Sequence, residues 1–489
     1  MNVVILTEGG RNIGLGHVSR AVSLCQAFEQ CGAYPRLVVS GDSSVQASAA
    51  SATLELLDWA GDASALSRRI AGADVIVVDS YLARAEAYDR IAAGGALCVW
   101  LDDHMRLPYP PGVIVNGAVN AVQLPYRYGG HHTFLLGARY LTLRKAFWNV
   151  PRRQVRDQAA SVLITLGADD PRGLTAQVLA RLAGQFPALH KTVIAGRFMG
   201  DLSAVRAAAD KQTAIITSPS AEGMCQAMCQ ADLAVSAGGQ TLCELAKTGT
   251  PAVTLCLGEN QRANIQGWQD AGLVDMLDAD EAGAMDKLAA AVESLLDAPR
   301  RMGRAQIAQE IMDGCTGTNV AQAVTALARR QEAPLTVRPA TQDDCYDLWV
   351  WRNHPDVRRW CCSQDVIDYP THRQWFARRL ADADTVLCVA VDACGVKAGQ
   401  IRFDIAGNRA EANVGLSPTH FGRKLGRHAI AAGTEHLLTV RPGVRQIDAL
   451  IFPSNVASQK AFTAAGYRPA GPVHRNGLDL LLFQFNRNS

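Results

Sequence analysis

No Cys-x-x-Cys pair occurs in this chain, although it carries 13 cysteines. Cys361 and Cys362 are adjacent, and the others sit singly, several among apolar residues, as at Cys98, Cys256 and Cys388. A structural zinc site needs paired ligand spacing, so no metal is expected. An odd number of thiols in apolar surroundings suits a reduced, cytoplasmic protein better than a disulfide framework. Charge of one sign is also missing. The formal net charge is +2, which gives no broad field for a polyanion, so no nucleic-acid partner is expected. No apolar run reaches the roughly 18 to 20 residues that span a bilayer. The chain does not open on a basic stretch followed by an apolar one, so no secretory signal is expected. Repeats of solenoid period and low-complexity tracts are absent as well.

What is present has the composition of a globular enzyme, 48 % hydrophobic and 19 % charged residues. A length of 489 residues is too much for one ordinary core and points to two or three domains. Over residues 1–150, short apolar runs alternate with helix-like stretches: Val3–Leu6, Arg36–Val39, Val75–Val78, Leu97–Leu101 and Val113–Val115. Runs apolar on both faces suggest a parallel sheet covered by helices. The same rhythm restarts over 157–330, with runs at Ser161–Leu166, Thr192–Ala195, Leu233–Val235 and Ala252–Leu257. Two doubly wound halves in tandem suggest a cleft. A short polar stretch, 329–334, ends in Pro334 and marks a boundary. From 335 to 489 strand-like alternation dominates, at Val386–Val391, Gly399–Phe403, Ala412–Leu416 and Ile447–Ile451.

Candidate chemistry sits at the ends of these runs. Gly14-Leu15-Gly16-His17-Val18-Ser19-Arg20 lies between the first strand and a helix. A glycine turn there lets a ligand approach the backbone. His17 can move a proton near neutral pH, and Arg20 can hold an anion. The bland alternative is a turn whose polar residues face solvent. Asp79 and Asp102-Asp103 directly follow strands, where open α/β sheets carry their ligand crevice; as plain helix caps they would look the same. Ser236-Ala237-Gly238-Gly239, ahead of a helix, forms an anion cradle suited to a diphosphate. Glu244, inside that helix, can accept a ribose diol, or simply compensate the helix dipole. Glu259-Asn260-Gln261 follows the next strand.

These stretches, with Ile76–Tyr81, Leu101-Asp102-Asp103 and Leu166-Gly167-Ala168-Asp169, resemble the pseudaminic-acid pathway hydrolases over residues 1 to about 280. That family removes UDP from a 2,4-diacetamido-2,4,6-trideoxy-altrose nucleotide and is related to the MurG-type glycosyltransferases. The resemblance implies a GT-B pair of Rossmann-like domains and inverting displacement of UDP by water, with His17 as the base. It implies substrate contacts from Gly14, Gly16, Arg20, Asp79, Tyr81, Asp103, Gly167, Asp169, Gly238, Gly239, Thr241, Glu244, Asn260 and Gln261. Ala168 departs from the family, which often has a second glycine there.

A second resemblance covers about Leu335 to Pro469. Asn413-Val414-Gly415-Leu416-Ser417-Pro418, then Phe421-Gly422-Arg423-Lys424-Leu425-Gly426-Arg427 before a helix from His428, and Asn455-Val456-Ala457-Ser458 are similar to the GNAT acetyltransferases. This implies an α+β domain that uses acetyl-CoA as co-substrate, held by Leu416, Gly422, Lys424, Leu425, Gly426, Arg427, Asn455 and Ser458. Lys424 replaces a common glycine, and Phe421 a common Gln or Arg. Phe462 stands where many members have a tyrosine that protonates the thiolate, and a phenyl ring cannot donate. Tyr467 is expected in the core. Glu411 is a candidate base, and His428 reads better as a helix-end surface residue.

Together the resemblances imply one chain that acetylates the 4-amino group of a UDP-activated amino sugar and then releases UDP. The alternatives are a glycosyltransferase of the same fold with an acceptor other than water, and a chain whose last part binds acyl-CoA without turnover.

Overall fold

The computed structural model describes residues 1–11, 13–48, 53–126, 132–329, 335–391, 397–421, 425–475 and 477–487. The chain divides into two compact units. One is Met1–Ala121 with Leu136–Gln322; the other is Val122–Leu135 with Ala323–Ser489. Most of the polar boundary stretch, 330–334, lies outside the described residues.

The first unit holds two parallel, Rossmann-like sheets. In the first run β1 (Asn2–Gly9), β2 (Tyr34–Gly41), β3 (Leu54–Leu56), β4 (Val75–Asp79), β5 (Leu97–Leu101) and β6 (Gly112–Asn116). Their spatial order is β3-β2-β1-β4-β5-β6. The central strands read Val-Val-Ile-Leu and Val-Ile-Val-Val and are buried throughout, which fixes a two-sided core. β1 is flanked by β2 and β4, with Thr7 opposite both Val39 and Asp79. Strand β7 (His132–Leu136) follows β6 in the chain. The second sheet has β8 (Ser161–Thr165), β9 (His190–Ala195), β10 (Thr213–Thr217), β11 (Leu233–Ala237), β12 (Ala252–Cys256) and β13 (Val274–Asp278), in the order β10-β9-β8-β11-β12-β13. Both sheets reverse direction of winding once, between β1 and β4 and between β8 and β11. Such a switch point opens a crevice at the carboxyl ends of the strands. Strands β3, β10 and β13 escaped the sequence reading because edge strands lack the doubly buried apolar run.

The second unit carries β14 (Thr336–Pro339), β15 (Thr385–Val391), β16 (Lys397–Ala406), β17 (Arg409–Leu416), β18 (Gln446–Ile451), β19 (Arg468–Arg475) and β20 (Leu478–Asn486), ordered β14-β15-β16-β17-β18-β20-β19. Every pairing is antiparallel except β17 with β18. That parallel pair matches only Arg409–Glu411 with Gln446–Asp448, although β17 continues to Leu416 and β18 to Ile451. The two strands therefore part toward their carboxyl ends and leave backbone groups open. The helix Gly426–Val440 connects them and packs Ala429, Ile430 and Leu437 onto the core face of the sheet, beside Ile401, Ala410 and Ile447. No helix among the described residues is long and apolar enough to cross a membrane.

Candidate functional site

The first switch point is built by side chains. After β1 the chain doubles back, with Gly14 N–H donating to the Gly10 carbonyl at 2.8 Å. Gly14 sits at φ +91°, a conformation that an L side chain rarely adopts, and an added Cβ would meet nothing within 4 Å. The turn needs glycine for its backbone angle and not for space. Gly16 opens the helix Gly16–Gln30, which has no side-chain cap. His17 and Arg20, three residues apart, share one face of it. Both reach Asp79 at the end of β4. His17 Nδ1 lies 2.7 Å from Asp79 Oδ1, and Arg20 Nε donates to Oδ2 at 2.7 Å. Arg20 then donates through Nη1 to both oxygens of Asp103, at 2.8 and 3.0 Å.

Asp79 is fully buried. Burial alone would raise its pKa, but the Arg20 charge and the His17 hydrogen bond outweigh it and hold Asp79 at about 2. Burial opposes ionisation of Asp103 too, and Arg20 again prevails. Tyr81 closes the network: its hydroxyl donates to Asp103, and its ring meets His17 edge-on with centroids 4.5 Å apart. Burial, then the Asp103 charge, pushes the Tyr81 pKa up, so it remains a donor. Asp79, which the resemblance counts among the substrate contacts, accepts hydrogen bonds from both His17 and Arg20.

Two residues behind the network were missed by sequence reasoning. Glu8, buried at the end of β1 beyond the apolar run, accepts the N–H of Tyr81 at 2.7 Å and of Leu82 at 3.1 Å, and the Ser80 hydroxyl. Arg106 donates to the carbonyls of Ser80 and Ala83, each at 3.0 Å. Together they fix the loop that carries Tyr81. An acid two positions after the apolar run Val3–Leu6, at the end of the first strand, was the available signal for Glu8. Asp102, the neighbour of Asp103, is structural: it accepts the N–H groups of Met105 and Arg106 at 2.9 and 3.1 Å.

The second switch point is built mainly by backbone. Gly239 precedes the helix Gln240–Lys247, which also lacks a side-chain cap, so its opening N–H groups, from Gly239 through Thr241, form the positive end of the helix dipole. Gly238 is different. Its N–H goes to Gln261 Oε1 at 3.2 Å, and a Cβ there would lie 2.4 Å from Ile265. Gln261 also accepts the Leu257 N–H at 3.2 Å, so its carbonyl holds the turn. The side chain of Asn260 lies outside the described residues. Gly167, at φ +126°, and Ala168 pack on Gly196, where a Cβ would be 2.3 Å from the Gly167 carbonyl. Asp169 is exposed, while Asp170 receives Leu174 and Thr175 N–H at 3.0 and 2.7 Å and so caps the helix Leu174–Gln185. Glu244 is buried, and both its oxygens take hydrogen bonds from Arg144, at 2.6 and 2.7 Å. Arg144 is a third residue that the sequence did not single out. Cys243, beside Glu244, is buried, and burial and then the Glu244 charge push its thiol pKa up.

In the second unit Gly422 and Lys424, with Arg423, lie outside the described residues. Gly426 opens its helix where a Cβ would be 3.2 Å from Ala461 and 3.8 Å from Leu416, so the end of β17, this helix and the helix Val456–Ala464 converge. Leu416 and Leu425 pack at the margin of the core. Arg427 is exposed and donates to His428 Nε2 at 3.1 Å. Asn455 caps the last helix by accepting the Ser458 N–H at 3.1 Å. Phe462 is core, and Tyr467 is buried against it with its hydroxyl 2.8 Å from that of Thr434. Glu411 is ion-paired with Arg475.

Comparison with known proteins fits this division. Residues 334–468 match the acetyltransferase (GNAT) domain family. An uncharacterized protein of Methanocaldococcus jannaschii is 20 % identical over 492 aligned positions, covering 96 % of this chain and 97 % of its own. The pseudaminic acid cytidylyltransferase and UDP-2,4-diacetamido-2,4,6-trideoxy-beta-L-altropyranose hydrolase of Helicobacter pylori is 22 % identical over 276 residues, 56 % of this chain and 48 % of that protein. This chain thus spans about half of the Helicobacter protein's length. Among solved structures, the aminoglycoside acetyltransferase AAC(6')-Ib in complex with coenzyme A aligns at 21 % identity and a TM-score of 0.29, over 31 % of this chain and 95 % of that one. The protein therefore carries a GNAT domain at its C-terminal end, joined to a region similar in part to a pseudaminic-acid enzyme.

Proposed function

We propose that the chain is a bifunctional enzyme acting on one UDP-activated amino sugar. Its second unit transfers the acetyl group of acetyl-CoA to the 4-amino group. Its first unit, read as a GT-B pair, then hydrolyses UDP-2,4-diacetamido-2,4,6-trideoxy-altrose with inversion at the anomeric carbon.

The His17–Asp79 pair carries the hydrolase half. Asp79, at about 2, is ionised at neutral pH and can only accept. The shared proton therefore sits on His17 Nδ1, and the Nε2 lone pair is left for water. The water oxygen bonds to the anomeric carbon as the bond to the diphosphate oxygen breaks. Nε2 takes the water proton, and the electron pair leaves with UDP. The N–H groups from Gly239 to Thr241 support the charge that builds on the diphosphate. UDP needs little acid assistance, which agrees with a crevice whose carboxylates are held ionised by Arg20.

For the acetyltransferase half, support comes from the GNAT match and from the parting of β17 and β18, whose open backbone edges offer hydrogen bonds to an extended pantetheine arm. The amine attacks the thioester carbonyl and coenzyme A leaves as the thiolate. Phe462 has no hydroxyl, and Tyr467 is buried with its hydroxyl against that of Thr434, so neither is assigned to protonate the thiolate; the proton given up by the amine balances it.

Phosphorus NMR of UDP release from the 4-amino UDP-sugar tests the reading. Release that requires acetyl-CoA supports two activities in sequence. Release only after addition of a sugar acceptor would replace hydrolysis by glycosyl transfer.

A further inference from the structure

We infer that Arg144 is a positioning residue that aims the Glu244 carboxylate and so makes the nucleotide site select a ribonucleoside diphosphate over its 2′-deoxy counterpart. This rests on the nucleotide reading of the second switch point given above.

Arg144 belongs to neither glycine turn. It directly precedes the short 3-10 turn Lys145–Phe147. Its guanidinium is fixed twice: Nε and Nη2 grip Glu244, and the plane lies over the ring of the fully buried Phe147 at 5.3 Å. Glu222 and Cys225, in the helix Ala221–Gln230, lie within its field as well. Arg144 therefore stands near the amino-terminal turn of the helix Ala221–Gln230, while it grips Glu244 in the middle of the helix Gln240–Lys247. Helix dipoles disfavour a cation there. Glu244 offsets that cost, and the benefit runs in both directions. A bare carboxylate next to a diphosphate-binding turn would repel the phosphates; one already neutralised by a guanidinium does not.

The geometry also limits what Glu244 can do. A two-point grip uses one lone pair on each oxygen and leaves one on each. Those remaining pairs point outward to either side of the grip, so one of them, held rigid, is left to accept a single ribose hydroxyl. A lysine has the charge but not the fork.

The test is calorimetric binding of UDP and of 2′-deoxy-UDP to the full chain and to its variants. The wild-type protein is expected to favour UDP by at least about tenfold, as befits a hydrogen bond to a charged group. Arg144→Lys keeps the charge, and its thermal unfolding checks that it is folded. It is expected to hold 2′-deoxy-UDP within about threefold of wild type while the preference for UDP shrinks to less than about threefold. The double variant Arg144→Met with Glu244→Gln, which leaves no buried charge alone, is expected to show the same loss of preference. Unchanged preference in Arg144→Lys overturns the inference, as does an equal loss for both nucleotides. Wild-type protein that binds neither nucleotide overturns the nucleotide reading itself, whereas preference that is present but independent of Arg144 overturns only this inference.

Discussion

The two units make an opening in a sheet by different means. In the first, strand order does it: both sheets wind outward from a central pair, β1 with β4 and β8 with β11, and the loops diverge where the winding reverses. In the second, strand order is nearly continuous and the opening comes from lost pairing, where β17 and β18 part after three matched residues. Their electrostatics differ too. The first unit keeps charges in its crevice by pairing them, Asp79 and Asp103 with Arg20. The second pairs a buried charge as well, Asp344 with Arg338 and Lys397, but it also buries neutral histidines, His354 and His372, which burial holds at about 4. A topological crevice tolerates charge because its walls are loops and helix ends rich in donors; a core histidine survives only by giving up its proton.

The largest expected effect separates the units by activity. His17→Ala should lower UDP release by about a thousandfold, the usual scale for loss of a general base, while acetylation of the amino sugar stays within twofold. Loss of both activities in a folded variant would show that the two sites are not separable. Acidification separates them by stability. The folded pKa values of His354 and His372 lie below the ordinary 6.5, so the stability they carry is complete above that pH and lost as the pH falls toward 4. Each is worth up to about 3 kcal/mol. Asp79 has the same sign but a lower window: its contribution is complete above 3.8 and lost as the pH falls toward 2. Hydrogen exchange at pH 7, 5.5 and 4.5 should show amides of the helices around His354 and His372 losing protection before those of β1 and β4. Earlier loss in β1 and β4 would reverse the comparison.

A smaller effect is expected at the second switch point. Gly238→Ala places a Cβ 2.4 Å from Ile265, so the helix Glu259–Asp270 must move and carry Gln261 with it. Strain of about 1–3 kcal/mol should weaken UDP binding by about ten- to a hundredfold and leave acetyl transfer alone. Calorimetry with UDP checks this, and unchanged affinity would remove the turn from the site. The smallest is Tyr81→Phe, which deletes one hydrogen bond to Asp103 and should cost about fivefold in UDP release. A loss as large as that of His17→Ala would give Tyr81 a direct part in the chemistry.

Much of the fold was legible because it is local. Doubly apolar runs such as Val75–Val78 mark central strands, and Gly14 and Gly239 mark turns that open helices. Edge strands β10 and β13, half exposed, were not legible. Of the site, the residue types at His17, Arg20, Asp79, Tyr81 and Asp103 could be read, and so could their position after strands.

Their partners could not. Asp79 meets His17 across 62 residues and Arg144 meets Glu244 across 100, distances over which no periodicity carries information. Asp102 and Asp103 are adjacent and chemically identical; only the backbone direction at the end of β5 sends one inward to cap a turn and the other to Arg20. The sequence by itself determined the alternation of strands and helices, the glycine turns and the residue types available at each strand end, since each depends on neighbours a few positions away. Which carboxylate orients the histidine, and which arginine grips the buried Glu244, was decided by the packing of strands β1, β4 and β5 and of helices far apart in the chain, because a hydrogen bond needs two groups within about 3 Å and only the tertiary fold brings them there.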